Sequence, residues 1–284
     1  MDKIVCSMVF RIILFMILYG DISSQPLYEN NRGDQVTTKQ TELYYQKLYE
    51  REIFLENSWK KKLDFCRETL PFDCKELHMN GKRKSGVYTI YPWGRCDPNY
   101  RPVQVYCFME REGGGWTAIQ RRVNGEENFT RNWTEYKHGF GTPYGDYWIG
   151  NDAIHQLTTR RNSSLVVTVT PMNSSLVSLK LYYQFYIDGE DQNYTLQIAN
   201  PGYGNLDDDP FFKTTGMPFS TFDVDNDKSI TNCAADHLGG WWFNMCHSAF
   251  LNGPWQSDEW LDPWYMQYTS GTQVNGTSMW IKSH

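Results

Sequence analysis

From Asn200 to the C-terminus the chain shows almost none of the periodicity that makes helices and strands. Gly, Asp, Pro and Trp dominate this part. So long a stretch folds only if something other than a backbone ladder holds it. Residues 219–253, FSTFDVDNDKSITNCAADHLGGWWFNMCHSAFLNG, supply two such devices. Asp223, Asp225 and Asp227 alternate with Val224 and Asn226. In an extended or turning backbone this points carboxylates to one side, and hard oxygen ligands suit Ca²⁺. Cys233 and Cys246 can close a short loop just downstream. His247, Trp241 and Trp242 stand beside that loop as material for an aromatic pocket. A metal loop, a clamp and aromatic walls together describe binding rather than catalysis.

The 284 residues suffice for one sizeable domain plus an extension. Aromatic residues make up 16% of the sequence, with 11 Trp and 19 Tyr. Much of that area must be core, and the remainder suits a carbohydrate or acetyl-group site. The net charge of −6 argues against nucleic acid as a partner, because phosphate binding needs clustered Lys and Arg. Lys82-Arg83-Lys84 is a short basic cluster and reads as a solvated turn. Residues 1–25 read as a secretory signal peptide, since the apolar run Ile12–Tyr19 is too short to span a bilayer. No other stretch is apolar enough to span one, so the protein is expected to be extracellular. Removing Cys6 with the signal leaves six of seven cysteines. An even count in an oxidising compartment points to disulfides, and sequence alone allows 15 pairings.

Residues 26–40 read as a flexible polar arm. They contain Arg32-Gly33-Asp34, either an integrin motif or a chance tripeptide. Residues 41–65 read as a helix: no Gly or Pro interrupts them, Leu48 and Leu55 are seven apart, and Glu56 and Lys60 form an i,i+4 pair. The segment either gathers several copies or packs on its own domain. Beyond Cys66, strands are expected at Gly86–Tyr91, Val103–Met109, Trp116–Arg122, Leu165–Thr170, Ser178–Ile187 and Thr195–Ile198, and a helix at Asn151–Thr159. Neither an internal repeat nor a collagen repeat occurs. Sequons stand at Asn128, Asn132, Asn162, Asn173, Asn193 and Asn275.

Ordered motifs then identify a resemblance. They are Asp73-Cys74, Ser85-Gly86-Val87-Tyr88, Val105-Tyr106-Cys107, Gly113-Gly114-Gly115-Trp116-Thr117, Gln120-Arg121-Arg122, Asn132-Trp133, Gly139-Phe140-Gly141, Asp146-Tyr147-Trp148-Ile149-Gly150-Asn151 and the 219–253 stretch. Together they resemble the fibrinogen C-terminal domain found in fibrinogens, ficolins, tachylectins and angiopoietin-like proteins, over residues 66–284. The resemblance implies an α+β fold. It has a small disulfide-bonded N-terminal subdomain, a central antiparallel sheet with helices, and a loop-rich calcium-binding C-terminal subdomain. It also implies the pairings Cys66–Cys96, Cys74–Cys107 and Cys233–Cys246.

An EF-hand is excluded, because Lys228 takes the place of the required Gly and Ala234 that of the bidentate Glu. The resemblance instead implies Ca²⁺ held by the Asp225 and Asp227 carboxylates and the Ser229 and Thr231 carbonyls, with Asp223 either supporting those ligands from behind or structural. The neighbouring pocket of the family's lectins accepts acetyl groups. Carried over, it comprises a cis Met245–Cys246 bond, His247, His237 where the lectins usually have Tyr, and a wall at Trp260 and Leu261. The segment bearing that wall is shorter here. No Gly-x-Ser-x-Gly, His-Glu-x-x-His or phosphate-cradling loop occurs, so no enzyme is expected. The expected function is a secreted, calcium-dependent lectin for acetylated microbial glycans in innate immunity, multimeric for avidity. The alternative is a protein-binding module for a host receptor, adhesion or coagulation.

Overall fold

The computed structural model describes residues 38–94, 101–110, 113–171, 177–206, 211–246, 249–255 and 274–284. The expected signal peptide, most of the arm with Arg32-Gly33-Asp34, and Cys96, Asn173, His247, Trp260 and Leu261 lie outside them. The protein divides into two units, residues 1–64 and 65–284.

The described part of the first unit is a helix. Helix α1 runs Thr38–Thr69 without interruption, so it starts inside the expected arm and continues past residue 65. Neither Gly nor Pro stands in it to stop it. Its length is roughly 48 Å at 1.5 Å per residue. Leu43, Tyr44, Leu48, Tyr49, Phe54, Leu55 and Trp59 are all exposed on it. No helix among the described residues is long and apolar enough to cross a membrane.

In the second unit, Asp73 caps the short helix α2, Cys74–Met79, by accepting from Glu76 N at 2.9 Å. The strands and helices that follow are β1 Gly86–Ile90, β2 Val103–Phe108, β3 Trp116–Arg122, α3 Trp133–His138, β4 Phe140–Gly141 and β5 Tyr147–Trp148. Next come α4 Asn151–Thr159, β6 Ser163–Pro171, β7 Ser178–Ile187, β8 Leu196–Gly204, α5 Cys233–Asp236 and β9 Val274–Ser283. One antiparallel sheet orders them β1-β2-β3-β9-β6-β7-β8, with β5 pairing to β3 and β4 to β5. The α+β class therefore holds, and Cys74–Cys107 ties α2 to β2.

The sheet's centre is β9, where the sequence suggested sparse structure. Asn275-Gly276 inside it reads as a turn. Yet every second residue from Thr277 onward is buried, and the strand pairs with β6 along its length and with β3 over Thr277–Ile281. The core continues past the sheet into an aromatic cluster of Tyr136, Trp148, Phe219, Trp241 and Trp242. Gly240 lets two of these rings approach, since a Cβ there would lie 2.6 Å from Tyr136 and 2.9 Å from Phe219.

Candidate functional site

The loop region is built on the core by short polar links. Ser220 and Trp241 exchange backbone hydrogen bonds of 2.9 and 3.1 Å. A tight turn joins Thr221 to Val224 and leaves Phe222 and Asp223 at its tip. Asp223 Oδ1 accepts from Trp133 N at 2.9 Å and from Thr221 Oγ1 at 2.7 Å. This carboxylate thus fastens the turn to the start of α3, a structural task.

Asp227 organises the next turn. Its Oδ1 accepts from Ser229 N at 2.7 Å, and its Oδ2 accepts from Cys233 N at 2.9 Å, at the start of α5. Asp225 Oδ1 accepts from Asp227 N at 3.2 Å. Lys228 N donates to Asn244 O at 2.9 Å, and the Cys233–Cys246 bridge closes the same loop from the other side. Thr231 Oγ1 donates to Asp236 Oδ2 at 2.7 Å. Among the described residues no group of three or more His, Cys, Asp or Glu side chains is arranged to hold a metal. The loop instead offers two carboxylates two residues apart with the Ser229 and Thr231 carbonyls in the same turn. That all-oxygen donor set fits Ca²⁺. The hydrogen bonds to Asp227 leave it acceptor capacity, because each carboxylate oxygen has more than one lone-pair site.

The aromatic pocket differs from expectation. Trp241 and Trp242 are fully buried, with Trp242 Nε1 donating to Tyr194 O at 2.8 Å, so both are core and not pocket walls. His237 ends α5, half buried, its ring 6.4 Å from that of Phe243. Burial pushes its imidazole below the ordinary value, against an opposing pull from Asp236. No peptide bond among the described residues is cis, so Met245–Cys246 is trans. The reversal there comes from a left-handed Cys246, with φ of 42°. Met245 is 81% exposed.

Sequence reasoning missed a set of exposed apolar side chains on these loops. Ile230 is fully exposed, and Phe222, Leu238 and Met245 are at 46%, 48% and 81%. Thr130 Oγ1 donates to Leu238 O at 2.8 Å, which fixes that corner. The signal was present: Ile230 stands alone among Lys, Ser, Thr and Asn, where no core periodicity calls for it. Below the loops, Gln120 Nε2 donates to Leu251 O at 2.9 Å, and Arg122 Nη1 donates to Gly253 O at 2.7 Å. These bonds hold the stem of the expected pocket wall.

Among the sequons, Asn128, Asn162, Asn193 and Asn275 are exposed, and Asn132 caps α3 with a capping box. The expected Cys66–Cys96 pairing falls outside the described residues, since Cys96 does.

Residues 70–283 match the family described as fibrinogen beta and gamma chains, C-terminal globular domain. Bovine (Bos taurus) angiopoietin-4 is 42% identical over 182 residues, covering 64% of this chain and 35% of its own length. The present protein thus spans about a third of that relative. The fibrinogen-like globe domain of human ANGPTL2 superposes with a TM-score of 0.69 at 32% identity, over 75% of this chain and 99% of that one. Lamprey fibrin D-dimer, solved with the peptide ligand Gly-His-Arg-Pro-amide, gives a TM-score of 0.64 at 25% identity, over 98% and 94%.

Proposed function

Since this protein belongs to the family of C-terminal globular domains of fibrinogen β and γ, we propose that it is a secreted, non-enzymatic module whose loop surface binds an extracellular protein. The observation that carries this reading is the exposed apolar set Phe222, Ile230, Leu238 and Met245 on a disulfide-closed, hydrogen-bonded loop frame. Apolar anchors ringed by polar groups are the usual composition of a protein interface. The peptide-bound lamprey fibrin structure supports the same class of ligand for this fold. Calcium held by Asp225, Asp227, Ser229 and Thr231 braces the frame. Helix α1, with its exposed apolar side chains, gathers copies and raises avidity.

The acetylated-glycan lectin is the weaker reading. Trp241 and Trp242 are in the core, His237 leans on Phe243, and the relatives named above are an angiopoietin and an angiopoietin-like globe. The deciding experiment passes the full secreted protein over an array of extracellular proteins and over N-acetylglucosamine resin. The protein-binding reading expects capture by a protein that Ile230→Asp plus Met245→Asp abolishes, and no retention on the resin. Calcium-dependent retention on the resin, released by free acetylated sugar and indifferent to those substitutions, would replace it with the lectin.

A further inference from the structure

The outward face of the sheet carries a strip of aromatic rings with a cation at each end, away from the loops. Burial alternates on β2, with Val105 and Cys107 inside and Tyr106 and Phe108 half exposed. Trp280 on β9 points the same way, between buried Met279 and Ile281. Its ring lies 6.1 Å from that of Tyr106 and 5.9 Å from that of Phe108, reaching across β3. Phe108 in turn pairs with Trp116. At one end the Arg121 guanidinium lies 4.3 Å over Tyr106 and 6.0 Å from Trp280, held by its 2.6 Å bond to Pro143 O. At the other, Lys282 Nζ lies 5.6 Å over Trp116. Arg121 pairs with Ser278, four residues before Lys282. The two cations are therefore about 14 Å apart along the strand.

More cations converge on the Lys282 end. Gly113, Gly114 and Gly115 make a left-handed turn, with φ of 73°, 59° and 75°. A Cβ on Gly113 would lie 3.2 Å from Lys282 Nζ, and one on Gly114 would lie 2.5 Å from His78 Nε2. Glycine thus admits both side chains to the turn. Arg83 donates to His78 O, and Lys82, Arg83 and Lys84 are all exposed. Burial, then the fields of Arg83 and Lys282, lower the His78 imidazole. Glu110, a described carboxylate at this edge, takes bonds from Ser85 N and Oγ. The fold thus joins the Lys82–Lys84 turn to a lysine from the far end of the sequence.

We propose that this strip binds a sulfated polysaccharide. Arg121 and Lys282 lie over Tyr106 and Trp116, so the half-exposed Phe108 and Trp280 are the rings that stack on the apolar faces of sugars, and the flanking Lys and Arg side chains pair with sulfates. An acidic polypeptide would meet the cations but leave the ring faces unused. This surface stands apart from the loop surface and does not rest on the protein-binding reading.

The probe is heparin, offered to the full secreted protein in calcium-free buffer at an ionic strength of about 0.15 M. The wild type should be retained and released by added salt. Replacing Lys82, Arg83, Lys84 and Lys282 together with Ala should weaken binding by about tenfold or more. If that variant melts early, the Lys82, Arg83 and Lys84 triple, exposed throughout, carries the same test. Replacing Lys47, Lys60 and Lys61 of α1 with Ala should change nothing, and polyglutamate of matched charge should bind more weakly than heparin. No retention of the wild type, a loss confined to the α1 variant, or equal binding of polyglutamate would overturn the proposal.

Discussion

Arg122 and Asp146 face each other inside the globe, Nε and Oδ2 3.7 Å apart, their side chains 4% and 0% exposed. At that distance they form an ion pair but no hydrogen bond, and neither atom has a hydrogen-bond partner among the described residues. The rest of each group is committed elsewhere. Arg122 Nη1 holds Gly253 O, and the guanidinium lies 4.0 Å over Phe129 and 5.6 Å from Trp255. Asp146 Oδ1 accepts from Val123 N and Asn124 N. Burial lowers the guanidinium's affinity for its proton, and Asp146 restores part of it. Arg122→Ala leaves a buried carboxylate uncompensated, and should cost about 3–5 kcal/mol in urea unfolding. Arg122→Ala with Asp146→Ala should cost less than the two single substitutions added together. Strict additivity would mean that the pair does not interact.

The Cys233–Cys246 bridge closes a loop with a sequence separation of 13. Replacing both cysteines with Ala should lower stability by about 2–4 kcal/mol. The loss should be local. Amide exchange should speed up across residues 225–246 while the β6–β9 ladder keeps its protection. Uniform loss of protection would show that the loop is an integral part of the cooperative core.

The strands with plain alternation or β-branched runs, such as Trp116–Arg122 and Ser178–Ile187, were legible from sequence to the residue. Strand β9 was not, because Asn275-Gly276 carries turn chemistry, yet Gly276 pairs with Thr170 of β6 and Asn275 is taken up in a register shift. Helix α3 was missed because six residues give too short a period to detect, although Asn132 and Glu135 form its capping box. In the loop region the Asp ladder and the two cysteines were readable from local chemistry, whereas the separate task of Asp223 followed only from the resemblance. Whether a Trp lines a pocket or fills a core is not local. From sequence, Trp241 and Trp242 are only material for a pocket beside the loop, and the packing of Phe211, Phe219 and Trp148 around them places them inside. The outward strip of Tyr106, Trp280 and Arg121 depends on strand order and could not be read at all.

The two carboxylates of the proposed calcium loop should separate by experiment. Asp227 holds Ser229 N and Cys233 N, so Asp227→Ala should destabilise the protein even in EDTA, by about 1–3 kcal/mol for two lost bonds. Asp225 makes one longer bond within the turn. Asp225→Ala should therefore matter chiefly when calcium is present. At calcium a hundredfold above its dissociation constant, the wild type should gain about 2.7 kcal/mol over its EDTA value. Asp225→Ala should lose most of that gain. A melting temperature indifferent to EDTA in the wild type would remove calcium from this loop.

His237 should make the loop region acid-sensitive. Its imidazole is half buried beside Phe243, and desolvation lowers its proton affinity from the ordinary 6.5, with Asp236 opposing. A folded-state value below the unfolded one means that the unfolded state binds the extra proton first. The contribution to stability is then complete above the unfolded value and is lost as pH falls through the folded one. His78 is lowered too, so the wild type alone does not isolate the effect. His237→Phe keeps a ring against Phe243 and removes the titration. Between about pH 7.5 and pH 5 the variant should lose less stability than the wild type, and the difference should open below the ordinary imidazole range. Parallel acid slopes for the two proteins would show that the His237 ring is as well solvated in the fold as out of it.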